Sequence, residues 1–128
     1  MRRILGVIAA ILLIAGTAQA QQREKIIIDS DIGDDIDDAF AVGLALSSPE
    51  FEILGVSASF GDTATRARMF DRMLGELGRS DIPVAMGTPA AVNLNAFTQR
   101  RYAEGGTVAG RPYPNAVDFV LGQARKYP

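Results

Sequence analysis

The stretch Ile26-Ile27-Ile28-Asp29-Ser30-Asp31-Ile32-Gly33-Asp34-Asp35-Ile36-Asp37-Asp38-Ala39-Phe40-Ala41 passes from a β-branched triplet, through six aspartates in ten residues, into an apolar segment that reaches Leu46. An apolar run without alternation reads as a strand covered on both faces. Ala39, Phe40, Val42, Ala45 and Leu46 spread widely around a helical wheel, which predicts a largely buried helix from Asp37 or Asp38 to about Ser47, stopped by Pro49. The loop between them is dense in charge, and no Lys or Arg occurs between Lys25 and Arg66. Two carboxylates ~4 Å apart repel by about 4 kcal/mol at an effective dielectric near ~20, so crowding several together calls for protonation, solvation or a cation. A hard divalent metal meets that demand.

Outward from this stretch, Phe51 to about Phe60 reads as a second strand, Gly61 as a turn, and Asp62 or Thr63 as the cap of a helix lasting to Gly78. In that helix Ala67, Phe70, Leu74 and Leu77 form an apolar stripe, with Arg66, Asp71, Arg72 and Glu76 off it. Ile82 to Met86 predicts a third strand and about Asn115 to Arg125 a last helix. Between them Gly87 to Pro114 is irregular, broken by Gly105, Gly106, Gly110, Pro112 and Pro114. Strands alternating with helices over short connections indicate an α/β fold with an open, mostly parallel, doubly wound (Rossmann-like) sheet. The sheet is expected to be incomplete in this chain, because three strands and three helices cover both faces poorly. Ligands of such sheets bind beyond the carboxyl ends of the strands. The aspartate loop and Gly61-Asp62 are therefore expected on one rim.

The amino terminus reads as an address label. Arg2 and Arg3 precede the apolar core Ile4 to Gly16, and Ala18-Gln19-Ala20 supplies the small residues of a cleavage site, so residues 1–20 are expected to be a signal peptide. Residues 21–128 are then the exported part, periplasmic or secreted. They keep 11 basic against 15 acidic side chains, a balance of −4 that favours neither nucleic acid nor an anionic membrane surface as partner. The absence of Cys excludes disulfides and thiolate chemistry. The absence of His removes the commonest acid or base near neutral pH and the imidazole ligands favoured by zinc. Chemistry in this segment must run on oxygen ligands.

Asp29-Ser30-Asp31-Ile32-Gly33 after a strand, followed by Asp37-Asp38 opening an apolar helix, resembles the signature of the inosine-uridine nucleoside hydrolases. The likeness continues through Val56 to Thr63 and through Ile82-Pro83-Val84-Ala85-Met86-Gly87. It implies that the chain is the amino-terminal part of a domain that cleaves the N-glycosidic bond of ribonucleosides with water and a calcium ion. Carried over by position, the resemblance implies that Asp31 and Asp38 ligate Ca2+, supported by Asp29, and that Asp31 also takes a proton from the metal-bound water. Asp37 would bind ribose hydroxyls, with Asp62 in place of the family's ribose-contacting Asn. Calcium's preference for six to eight oxygen ligands and the carboxylate stabilisation of an oxocarbenium-like transition state agree with that division. The partners implied are a small nucleoside and, for the full-length form, further copies of the same chain in a homo-oligomer.

The interval from Gly33 to the Asp-Asp pair is two residues longer than in the family's commonest pattern, so Asp34-Asp35 compete with Asp37-Asp38 for the metal and ribose roles. The latter pair is preferred because it abuts the helix. Asp62 reads equally as a plain helix cap. The family's pocket His residues and the ligands it draws from later in the chain are absent, so a truncated, inactive fragment is expected. A haloacid-dehalogenase-like phosphohydrolase using Asp29 and magnesium is the nearest enzymatic alternative, and a non-catalytic fragment the other. An EF-hand fails, because a loop started at Asp29 places Asp34 where Gly is required and Phe40 where Glu is required.

Overall fold

The computed structural model describes residues 22–91, 97–105 and 111–128; the expected leader at residues 1–20 lies outside them. Three strands, β1 (Glu24–Ser30), β2 (Phe51–Ala58) and β3 (Val84–Met86), form a parallel sheet in the order β1-β2-β3. Helix α1 (Asp37–Ser47) connects β1 to β2, and α2 (Thr63–Glu76) connects β2 to β3. A short helix α3 (Arg100–Glu104) and the last helix α4 (Ala116–Lys126) follow. The expected α/β sheet is thus present, open and parallel.

Side chains alternate across β2. Val56 and Ala58 join Phe70 and Leu74 of α2, together with Ile82 and Val84, in the buried core. Gly55 and Ser57 face the other way, toward α4, whose Phe119 ring lies over Gly55. Helices therefore cover both faces of β2. The same alternation, through the pairing of Asp29 with Ser57, places Asp29 on the α4 side of β1.

Strand limits move for local reasons. β3 begins at Val84 rather than Ile82 because Pro83 has no N–H to offer, although its carbonyl still accepts from Val56 N at 3.0 Å. β2 stops at Ala58, ahead of the expected Phe60, where φ is +60° and extended pairing is no longer possible. Helix α2 is capped by Asp62 and α4 by Asn115, whose side chain accepts from Val117 N at 2.9 Å and Asp118 N at 3.2 Å. Helix α3 was not foreseen in the irregular segment.

Burial corrects the helix readings in two places. Helix α1 was expected to be largely buried, yet within it only Val42 is; Phe40 is 73% and Leu44 72% exposed. Its apolar residues encircle the helix, and the described residues cover one line of them. In α2, Arg66 and Asp71 lie off the apolar stripe but are each only 2% exposed, whereas Leu77, within the stripe, sits past the last helical turn and is exposed. Asp71 is enclosed because Arg111 Nε donates to it at 2.9 Å and the Tyr113 hydroxyl at 3.2 Å, tying the segment before α4 back onto α2. Burial, then the neighbouring Asp71 charge, pushes the Tyr113 phenol up to about 12, so it stays a donor.

A β-carbon at Gly55 would lie 2.3 Å from the Phe119 ring, while one at Gly122 in α4 would meet nothing within 4 Å. Gly55→Ala is expected to cost about 1–3 kcal/mol by overpacking, and Gly122→Ala to be neutral or to stabilise by about 1 kcal/mol, as read from urea unfolding midpoints.

Candidate functional site

The carboxyl ends of the three strands open onto a shared rim. Gly87 N–H donates to Ala58 O at 2.8 Å, the Thr63 hydroxyl to Gly87 O at 2.8 Å, and Ala90 N–H to Gly61 O at 3.1 Å, which draws the loop after β3 against the one after β2. The aspartate loop, residues 29–38, forms the neighbouring section. Its backbone is held from several directions, and none of these contacts needs an ion.

Ser30 joins the end of β1 to the start of α1: its hydroxyl donates to Asp38 Oδ1 at 2.7 Å and accepts from Ile32 N at 3.1 Å. The Ser57 hydroxyl donates to Asp29 Oδ1 across the β1–β2 pair. Gly33 has φ +123°, a conformation closed to other residues, and a β-carbon there would lie 2.1 Å from the Phe97 ring and 2.8 Å from Met69 Sδ. Phe97 therefore rests directly on the loop backbone. The Gln99 amide donates to Gly33 O at 3.0 Å and the Thr98 hydroxyl to Asp34 O at 2.6 Å, so the segment before α3 braces the loop from outside.

Arg66 braces it from inside. Its guanidinium donates to the carbonyls of Asp31, of Ile32 at 2.9 Å and of Phe60 at 2.8 Å, and to Asp34 Oδ2 at 3.0 Å. The Phe97 ring lies over it, 4.6 Å from centroid to Cζ. This is the cation that the run from Lys25 to Arg66 lacks. Reading α2 by its apolar stripe alone hid Arg66, although it is the first positive charge after six aspartates and lies one turn into the helix that rises from the adjacent rim.

The expected site residues occupy distinct settings. Asp34 is committed to Arg66, whereas Asp35 and Asp37 are exposed and Asp38 is half-buried at the first turn of α1. The N-cap of α1, Ile36, contributes no side-chain hydrogen bond, so the Asp37 and Asp38 carboxylates complement the helix dipole. Asp62 caps α2, accepting from Thr65 N at 3.1 Å and the Thr65 hydroxyl at 2.7 Å, and pairs with Arg100 from α3. Partial burial pushes its carboxyl up, but the Thr65 hydrogen bonds and the Arg100 charge together outweigh that and hold it below the ordinary Asp range. Arg100, from the short helix α3, is thereby part of the rim.

Donor chemistry at this rim is all oxygen, which suits a hard divalent ion in kind. Among the described residues, however, no group of three or more His, Cys, Asp or Glu side chains is gathered as a metal shell, so Asp29, Asp31 and Asp38 are not drawn together. Asp29 Oδ1 and Asp38 Oδ1 each accept a serine hydroxyl, leaving the second oxygen of each as the group an ion would engage.

Gly33→Ala is expected to cost about 2–4 kcal/mol, from backbone strain plus collision with Phe97, measured by urea unfolding. For Asp62 the lowered native pKa means a contribution that is complete above the ordinary value of 3.8 and is lost as pH falls through the native value. Asp62→Ala is therefore expected to destabilise by about 0.5–2 kcal/mol at neutral pH, with the gap from the unsubstituted chain closing below about pH 4 in paired urea titrations.

Comparison with known proteins bears on the same stretch. The sequence pattern of the family described as inosine-uridine preferring nucleoside hydrolase matches residues 26–123. The probable uridine nucleosidase 2 of Arabidopsis thaliana is 48% identical over 68 residues, covering 52% of this chain and 20% of that protein. The pyrimidine-specific ribonucleoside hydrolase RihA of Klebsiella pneumoniae is 48% identical over 64 residues, covering 48% of this chain and 20% of that one. A solved plant nucleoside hydrolase superposes with a TM-score of 0.64 at 28% identity, over 82% of this chain and 36% of the other. The chain thus spans about a fifth to a third of the length of these relatives.

Proposed function

This chain belongs to the inosine-uridine preferring nucleoside hydrolase family, and on that footing we propose that the protein carrying it hydrolyses the N-glycosidic bond of ribonucleosides, with calcium bound at the rim beyond β1. The observation that carries the reading is the aspartate loop itself: a carboxylate-dense turn at the carboxyl end of a parallel strand, inside the matched stretch. Calcium, when bound, would supply a Lewis acid that orients water and makes it easier to deprotonate.

The chain's own residues then have separable tasks. Asp29, Asp31 and Asp38 are the carboxylates that would hold the ion, which requires them to stand closer together than they do here. Asp31 is also the acceptor for the proton lost as water oxygen bonds to the sugar's anomeric carbon and the carbon–nitrogen bond breaks, its electron pair leaving with the base. Asp37, exposed at the first turn of α1, is free to accept hydrogen bonds from a ribose diol. Asp62 meets the sugar only through whatever capacity Thr65 and Arg100 leave it, so its part is subordinate to Asp37. The substrate is a small nucleoside, and residues 21–128 are the amino-terminal part of the hydrolase domain, exported after removal of residues 1–20.

Because the described residues gather no complete metal shell, the 128-residue chain alone is expected to release no reducing sugar from uridine or inosine. A form extended to the length of its relatives is expected to release ribose and free base, to lose activity on calcium chelation, and to fall by about 100- to 10,000-fold on Asp31→Asn. Unchanged turnover in Asp31→Asn would remove that residue from the proposal. Release of phosphate from a phosphoester in place of ribose from a nucleoside would replace the reaction class.

A further inference from the structure

We propose that Arg66 is the positioning residue of the aspartate loop, fixing the backbone that carries Asp31 and coupling it to the corner that carries Asp62. The catalytic consequence rests on the hydrolase reading; the mechanical part does not. Arg66 is the fourth residue of α2, and its guanidinium is buried to 2% exposure. Taking a charge that far from water costs several kcal/mol unless its N–H groups are met. Four acceptors meet them here, and three are main-chain carbonyls.

Two of those carbonyls belong to consecutive residues, Asp31 and Ile32, and both are reached from the same nitrogen, Nη1. Turning the two peptide groups that follow Asp31 and Ile32 toward one point constrains φ and ψ of Ile32 between them and anchors the peptide plane that contains the Asp31 α-carbon. Nε reaches Phe60 O, at the positive-φ corner that leads into Gly61 and Asp62. One rigid planar group thus spans both rim loops. A lysine would keep the charge but would not reproduce the fork, because its single ammonium cannot span carbonyls from two separate loops with the same planar geometry. Phe97, stacked on the guanidinium and pressed against Gly33, stands between solvent and the carbonyls that a lysine would leave unmet.

The test is amide hydrogen exchange on the 128-residue chain and its Arg66→Lys variant. The probes are the amides of Ile32 and Gln99, which donate to Ser30 Oγ and to the Gly33 carbonyl. The expected result is exchange about tenfold or more faster at these two amides, with Val56 and the interior of α2 changed by less than about threefold. Acceleration spread evenly over β2 and α2 would show that Arg66 serves global stability alone and would overturn the proposal, as would unchanged exchange at both probes. If Arg66→Lys does not fold, Asp34→Ala decides, since it removes the one side-chain acceptor of the guanidinium at a residue outside the buried core: acceleration confined to the two probes supports the proposal, and none overturns it. In the extended, active form, Arg66→Lys is expected to lower kcat by about 10- to 100-fold with KM within about threefold. A wild-type form that hydrolyses no nucleoside would sink the hydrolase reading while leaving the exchange result to stand or fall separately.

Discussion

The rim of this molecule depends on one charge opposed to many. Six aspartates in ten residues cannot be folded against a sheet end without some compensation, and the chain provides it by burying a single guanidinium beneath the loop, bonded mostly to backbone rather than to carboxylates. That choice of partners matters. An arginine paired with several aspartate side chains would consume the groups that give the loop its chemistry. By holding carbonyls and taking only Asp34, Arg66 shapes the turn and leaves the remaining carboxylates for other partners.

The supporting parts fit that arrangement. Gly33 allows the chain to fold back with no side chain between it and Phe97, and Phe97 closes the guanidinium off from solvent. Ser30 and Ser57 occupy one oxygen each of Asp38 and Asp29. A hydroxyl donor orients a carboxylate while leaving its second oxygen for another partner. Asp62 is treated differently, being tied to Thr65 and Arg100 at the head of α2. The rim thus holds one structural acid on each of its two loops, Asp34 and Asp62, and leaves Asp31, Asp37 and Asp38 less constrained.

Much of this was legible in the residues. The strand, loop and helix of the aspartate stretch, the cap at Asp62 and the apolar stripe of α2 follow from local periodicity and end signals, and the family resemblance sits on the same positions. What escaped was set by contacts distant in sequence. Arg66 looks like a surface residue until the loop 35 residues upstream is placed over it. Arg100 looks solvated until α3 is laid beside α2. The exposure of Phe40 and Leu44 could not be read from their spacing, because periodicity reports which residues are apolar and not which side of a helix is covered.

The bracing of the loop by Phe97, Thr98 and Gln99 also sets a timetable. The Thr98 contact to Asp34 spans 64 residues. At a synthesis rate of ~5–20 residues per second, roughly 3 to 13 s separate the emergence of the aspartates from that of the segment that seats them. For the first half of that interval Arg66 has not been made either, so the aspartate stretch lacks the guanidinium that braces it in the folded chain. Any cation or chaperone that engages the nascent loop during this window meets a shape different from the finished one.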